Sequence, residues 1–303
     1  MTRFLVTGGA GFIGSNLVKQ LIKSGTQVTV IDDLNTGKIS NIKEVYDQIN
    51  FVEGDIRDYK LVEKFAQDCH GIFHFAARAS VQESFDKPEE YFDVNVNGAE
   101  NIFKIAKKFN QKVVFSSSSS VYGNPETIPI KEESGKNPIN PYAETKLQKE
   151  KLAEKYALDG LKVIGLRYLN VFGDGQSKEY AGVIKLFLER IQLRLPPRIN
   201  GDGTQSRDFV FVEDVVNANI LAMKSDVDNG FFNVGTGTTI SILEIAKLMI
   251  KFAGLNVEPI FGPELKGDVK ITQADISLIQ KKLGWKPTIL LENWLEKKIN
   301  LKN

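Results

Sequence analysis

The chain has 303 residues, and its 39 Lys and Arg nearly cancel its 38 Asp and Glu, leaving a net charge of +1. That balance argues against a nucleic-acid binder, which carries a basic excess, and a hydrophobic share of 42% argues against a disordered chain. The single cysteine, Cys69, excludes an internal disulfide framework. No apolar run approaches the ~20 residues of a membrane-spanning helix, so neither nucleic acid nor membrane is an expected partner.

The first half alternates strand and helix. Phe4-Leu5-Val6 reads as a strand running into Gly8, and an amphipathic helix follows from Phe12 to Lys23. Gly8, Gly9 and Gly11 break the N-terminal apolar stretch, so no signal peptide is expected and a cytoplasmic, reducing setting is. Gln27–Ile31 is a second strand, ended by Asp32-Asp33. Further strands are expected over 50–53, 71–75, 112–116 and 162–166, with helical patterns over 61–66, 89–109 and 142–157. Strands alternating with helices predict an α/β fold, a doubly wound parallel sheet of the Rossmann type. Cys69, His70 and His74 lie on or beside one strand, where neighbours point to opposite faces, so packing explains them better than a metal site and no metal is expected. After Arg167 the pattern becomes irregular. A buried strand over 209–212 and helices over 213–223 and 241–251 predict a smaller, mixed α/β lobe.

Gly8, Gly11 and Gly14 follow the first strand and open the first helix in a G-x-x-G-x-x-G spacing. Glycines there allow a tight turn and bring backbone N–H groups at a helix N-terminus up to a pyrophosphate. Asp32, eighteen residues beyond Gly14, ends the next strand, where a carboxylate binds a ribose diol and repels a 2′-phosphate. NAD is therefore favoured over NADP, although Asp32 in a turn-capping role alone is the alternative. A P-loop is excluded because Ser15 stands where Lys is required. Tyr142 and Lys146 stand four apart on one helix face, and a nearby ammonium favours the phenolate form of tyrosine.

These residues belong to a longer series. TGGAGFIGSNLV at Thr7–Val18, GDIRD from Gly54, HFAA from His74, NVNG from Asn95, SSSSSVYG from Ser116 and PYAETK from Pro141 occur in that order. RYLNVFG from Arg167, GDGTQSRDFVFVEDV from Gly201, KGD from Lys266 and LGWKP from Leu283 continue it through nearly the whole chain. The series resembles the extended short-chain dehydrogenase/reductase family, and within it the nucleotide-sugar 4-epimerases and dehydratases.

The resemblance implies roles residue by residue. Tyr142 is the expected acid/base, Lys146 its cofactor-bound tuner and Ser118 the catalytic hydroxyl. Gly8, Gly11, Phe12, Ile13, Gly14, Asp32 and Asp33 are expected at the NAD phosphates and adenosine. Asp55 and Ile56 are expected to bracket adenine, and Phe75, Ala76 and Ala77 to underlie the cofactor, with Asn95 near its nicotinamide side. Asn170, Arg207 and Asp268 are expected on the sugar nucleotide, with Arg207 paired to Asp208 as the bland alternative. The family's diphosphate-binding arginine is replaced by Leu265, so Lys266 is a candidate substitute. Thr272 stands where a bulky tyrosine restricts family members to plain hexoses. It leaves room for an acetamido group or simply packs near Asp275.

The implied domains are an NAD-binding unit over 1–168, to which 205–234 partly returns, and a nucleotide-sugar lobe over 169–204 and 235–303. The dehydratases carry Asp-Glu after the catalytic threonine, where this chain has Ser119 and Ser120, which are poor acids and bases. The resemblance therefore implies a 4-epimerase of UDP-hexoses working through a 4-keto sugar with tightly bound NAD. A 4-ketoreductase consuming reductant and a catalytically silent NAD-binding protein are the alternatives. A homodimer is implied as well, with Tyr91, Phe92, Ile102 and Leu152 as contact residues unless they face the sheet.

Overall fold

The computed structural model describes residues 2–176 and 182–300. The remaining positions of the expected second lobe, 177–181 and 301–303, lie outside the described residues. The chain begins β1 (Arg3–Thr7), α1 (Phe12–Lys23), β2 (Gln27–Asp32), β3 (Asn50–Glu53), α2 (Tyr59–Ala66) and β4 (Gly71–His74). It continues α3 (Val81–Asp86), α4 (Pro88–Phe92), α5 (Gly98–Lys108), β5 (Lys112–Ser118), α6 (Pro141–Leu158) and β6 (Val163–Tyr168). Then come β7 (Asn170–Phe172), α7 (Val183–Gln192), β8 (Arg198–Asn200), β9 (Ser206–Arg207), β10 (Phe209–Phe211), α8 (Val212–Lys224) and β11 (Asn229–Val234). The last elements are β12 (Ile240–Ser241), α9 (Ile242–Phe252), β13 (Ile260–Gly262), α10 (Ser277–Leu283) and α11 (Leu291–Asn300).

Seven strands form one sheet in the order β11-β6-β5-β4-β1-β2-β3, every neighbouring pair parallel. The expected Rossmann-type sheet is therefore present. Its order reverses at β1, between β2 and β4, and this opens a crevice at the carboxyl ends of the strands. Helices cover both faces. Leu17, Val18 and Leu21 of α1 pack with Val215, Ala218 and Ala222 of α8 on one side. Ile102, Phe103 and Ala106 of α5 pack with Val62 of α2 and Ala153 of α6 on the other. A third core joins Phe187 and Ile191 of α7, Ile245 and Met249 of α9, and Leu295 of α11. No helix among the described residues is long and apolar enough to cross a membrane.

Beyond the strands read in the first half, β11 adds a seventh strand along β6. The buried run at Phe209 instead pairs only with β7, in a separate two-stranded ladder. Both runs are short and apolar, and nothing local tells a main-sheet edge from a detached pair. The single helix read over 89–109 is interrupted by a wide π turn, Asp93–Asn97, between α4 and α5. Asn95 in that turn is fully buried and bonds to Arg78 and Thr145, and those tertiary bonds accompany the extra residue.

Candidate active site

The crevice is lined where the glycine turn, the strand ends and the N-terminus of α6 converge. Gly8 adopts φ +70°, and a β-carbon there would lie 2.6 Å from the Ala76 nitrogen. A β-carbon on Gly14 would collide with the Gly8 carbonyl oxygen. The turn therefore needs glycine at both points, and its bare backbone leaves a cradle of the kind that admits a pyrophosphate. Asn41 fastens the turn from outside, donating from Nδ2 to the Ala10 carbonyl at 2.8 Å.

Asp32 is buried at the end of β2 and lines the same cleft. Its carboxylate accepts from the Ala10 N–H at 2.8 Å and the Leu34 N–H at 2.9 Å. Burial pushes this carboxyl above its ordinary value, against the two N–H bonds that favour the charged form. Asp32 thus fixes the turn and faces the cleft at once, so the two sequence readings of it are compatible. Asp33 also borders the cleft, and Arg78 donates to it from Nη1 at 2.9 Å. Arg78 donates to Glu90 from Nε, also at 2.9 Å. Two carboxylates thus hold Arg78 as part of the cleft wall.

Asp55, Ile56, Phe75, Ala76 and Ala77 complete the same cleft with Gly11, Phe12 and Ile13. Arg57 forks onto the Asp55 carboxylate at 2.6 Å. Burial raises the Asp55 carboxyl, but the Arg57 bonds prevail and hold it below its ordinary value. Asn95 is the exception among the expected cofactor residues. It does not line the cleft but sits behind it, accepting from the Arg78 N–H at 2.8 Å. Sequence reading missed Thr36, Asn41, Gly175 and Gln176, which also border the cleft. Gly175 was legible as part of a loop, but no local signal shows where that loop returns.

Tyr142 and Lys146 lie in the first turns of α6. Asn140 caps that helix, accepting from the Ala143 N–H at 2.8 Å, and Pro141 supplies a ready φ at its start. The Lys146 Nζ lies 5.4 Å from the centre of the Tyr142 ring and donates to the Ser116 carbonyl at 3.3 Å. Both side chains border the cleft. Ser118 ends β5, and its oxygen accepts from the Ser120 hydroxyl at 2.9 Å and the Ser120 N–H at 3.2 Å. Its own proton is left free to donate. Ser117 is committed elsewhere, donating to Glu150 at 2.5 Å.

The expected substrate residues divide into a connected group and an outlier. Arg207 is buried and donates from Nη2 to Asp268 at 2.6 Å, with Nη1 on the Ser206 and Lys270 carbonyls. The alternative Arg207–Asp208 pair is not formed. Asp208 instead accepts from Thr236, Gly237 and Ala274, because adjacent residues of extended chain point to opposite sides. Asn170 donates to Thr272 Oγ1 at 3.2 Å, and that buried hydroxyl also accepts from the Asp208 N–H. Lys266 is the outlier: its Nζ lies 4.5 Å from the centre of the Phe85 ring on α3.

Residues 4–235 match the model of the NAD-dependent epimerase/dehydratase family. The chain belongs to that family. Like the family at large, it is read with NAD as its cofactor, and the glycine cradle and the buried Asp32 fit that group. The putative UDP-glucose 4-epimerase of Methanocaldococcus jannaschii is 38% identical over 98% of this chain and 97% of its own length. The UDP-glucose 4-epimerase of Thermotoga maritima, solved with UDP-glucose, superposes with a TM-score of 0.94 at 36% identity, covering 99% of this chain and 98% of that one. The UDP-N-acetylglucosamine 4-epimerase of Methanobrevibacter ruminantium M1, solved with UDP-N-acetylmuramic acid, gives 0.93 at 36% identity, covering 99% and 97%.

Proposed function

We propose that this family member is a UDP-hexose 4-epimerase, an isomerase that interconverts UDP-glucose and UDP-galactose through a 4-keto sugar. The observation that carries the reading is the Tyr142–Lys146 pair bordering the same cleft as the glycine cradle, with the Lys146 Nζ 5.4 Å from the Tyr142 ring centre. When bound, NAD supplies the hydride acceptor and donor for C4 of the sugar. Tyr142 takes the proton of the 4′-hydroxyl and later returns it to the same oxygen, inversion at C4 arising because the 4-keto sugar has turned its other face toward the cofactor. Lys146, with its Nζ 5.4 Å from the Tyr142 ring centre, stands beside it as the cofactor-bound partner. Ser118, with its oxygen already accepting from Ser120, donates its proton to the reacting sugar oxygen. Arg207 and Asn170 hold the diphosphate while the ketose turns, with Asp268 setting the direction of the Arg207 guanidinium.

Ser119 and Ser120 support epimerisation over dehydration, since neither is an acid or base at neutral pH. Thr272, small and bonded to Asn170, supports acceptance of the UDP-GlcNAc/UDP-GalNAc pair as well. Lys266 remains in the proposal only as a residue that leaves Phe85 when the diphosphate arrives. The lobe formed by 169–204 and 235–303 is read as the nucleotide-sugar side, and 1–168 with 205–234 as the NAD side. A cytoplasmic homodimer completes the reading. Its helix contact has to be built without Tyr91 and Ile102, which are spent in the monomer's interior, and with Phe92, which is 46% exposed.

The deciding experiment supplies NAD-loaded protein with UDP-Glc, UDP-Gal, UDP-GlcNAc and UDP-GalNAc in turn, with no added reductant. Epimer formation is expected, and it should vanish in Tyr142→Phe while bound NAD remains. Absence of epimer, with turnover appearing only when NADH is added and consumed stoichiometrically, would instead establish a ketoreductase, and turnover of only the non-acetylated pair would remove the reading of Thr272.

A further inference from the structure

Behind the Tyr142–Lys146 pair lies a group of nitrogens that the reaction above does not use. Lys149 follows Lys146 on α6 and is 0% exposed. Its Nζ finds no acceptor and sits 5.2 Å from the centre of the Phe115 ring on β5. It nevertheless lies within hydrogen-bonding reach of the Lys146 amine. His74 on β4 faces the same two lysines; it is also fully buried. Its Nδ1 shares a proton with Thr7 Oγ1 at 2.8 Å, and its Nε2 has no partner.

Among the described residues, the acid next to Lys149 on α6 is Glu150. That carboxylate is already engaged by Arg167, at 2.8 Å from both Nε and Nη2, and by Ser117. Two ammonium groups side by side, with the Glu150 carboxylate already engaged, repel each other, and the more deeply buried one is the costlier to charge. Lys146 borders the cleft, whereas Lys149 is sealed in. Burial, and then the Lys146 charge, push the Lys149 amine well below the ordinary lysine range. Burial likewise holds the His74 imidazole well below its ordinary value.

An uncharged amine has a lone pair, which an ammonium lacks. We propose that Lys149 is a positioning residue for the proton-transfer step, its neutral amine accepting a hydrogen bond from the Lys146 ammonium. With the Ser116 carbonyl taking a second Lys146 proton at 3.3 Å, the third is aimed into the cleft that Tyr142 borders. No proton leaves the site in this arrangement; the bond fixes the direction of one charge. The inference rests on the reading of Tyr142 and Lys146 as the acid/base pair.

The test compares NAD-loaded wild type, Lys149→Met and Tyr142→Phe. Lys149→Met keeps the length of the side chain and replaces the amine by a weakly accepting thioether. It is expected to lower kcat about tenfold, leave KM for the UDP-sugar within about twofold, and move the alkaline limb of the kcat–pH profile down by about one unit. A direct reading on the unmutated enzyme covers the case in which Lys149→Met does not fold. With 15N-labelled lysine, one amine is expected to resonate as neutral at pH 7.5. A full set of charged lysines would overturn the proposal, as would a Lys149→Met enzyme with unchanged kcat and pH profile. Retained turnover in Tyr142→Phe would point to a different failure, that of the acid/base assignment itself.

Discussion

Asn95 donates from Nδ2 to Thr145 Oγ1 at 3.0 Å, and through this bond the π turn holds the helix that carries Tyr142 and Lys146. Thr145 stands between those two residues and donates onward to the Tyr142 carbonyl at 2.8 Å. The same Asn95 side chain brackets the backbone of Arg78, at the end of the segment lining the cleft floor. One buried amide thus sets the distance between the cofactor floor and the proposed acid/base helix. Asn95→Leu should cost about 2–4 kcal/mol in urea unfolding, because it strands buried donors and acceptors. It should lower kcat more than it raises KM. Unaltered stability would mean that the amide is dispensable.

Arg167 and Glu150 form an ion pair whose side chains are each 1% exposed. Tyr122 and Ser117 bond to the two members and close the network around them. Removing one charge leaves the other uncompensated in the interior, so Glu150→Gln should destabilise the fold by about 3–5 kcal/mol. Replacing both partners together, as Arg167→Met with Glu150→Leu, should cost less than either single change. A double-mutant cycle measured by denaturant unfolding reads the difference.

The Arg207–Asp268 pair gives a prediction confined to substrate binding. Arg207→Lys removes the planar fork while keeping a charge, so KM for the UDP-sugar should rise about tenfold or more with bound NAD unchanged. Asp268→Asn should have a smaller effect in the same direction, because the backbone carbonyls of Ser206 and Lys270 still hold Arg207. Equal loss of NAD and sugar nucleotide in a binding titration would show that these residues serve the fold instead.

Cys69 yields the pH dependence. Burial pushes its thiol from an ordinary 9.0 up to about 11, and its Sγ donates to the Phe65 carbonyl. The reactive thiolate is thereby scarce at neutral pH. Alkylation of the folded protein by iodoacetamide at pH 7.5 should run about a hundredfold slower than in urea, since two pKa units separate the thiols. The folded rate should keep climbing with pH well past 9.0, where an ordinary thiol is already half ionised, because this one is half ionised only at about 11. Activity that survives complete alkylation in the folded state would be compatible with this; rapid labelling at pH 7.5 would not.

The sequence by itself carried what short stretches of chain determine. The glycine turn between β1 and α1 and the Tyr142–Lys146 face are set by backbone sterics and helix periodicity, and the ordered motifs are legible as a family resemblance, so all three are readable before any folding is known. Most of the cleft lining was implied by that resemblance, and the alternating pattern had already located the strands whose ends supply it. What joins distant segments was not readable. The attachment of β11 to β6, the capture of Arg78 by Asp33 and Glu90, the choice of Asp268 over Asp208 by Arg207 and the enclosure of Lys149 all required the tertiary structure. Each depends on which side of a strand or helix a side chain faces and what another part of the chain brings to that side. Spacing along the sequence leaves that open, and burial, by removing water as the alternative partner, decides it.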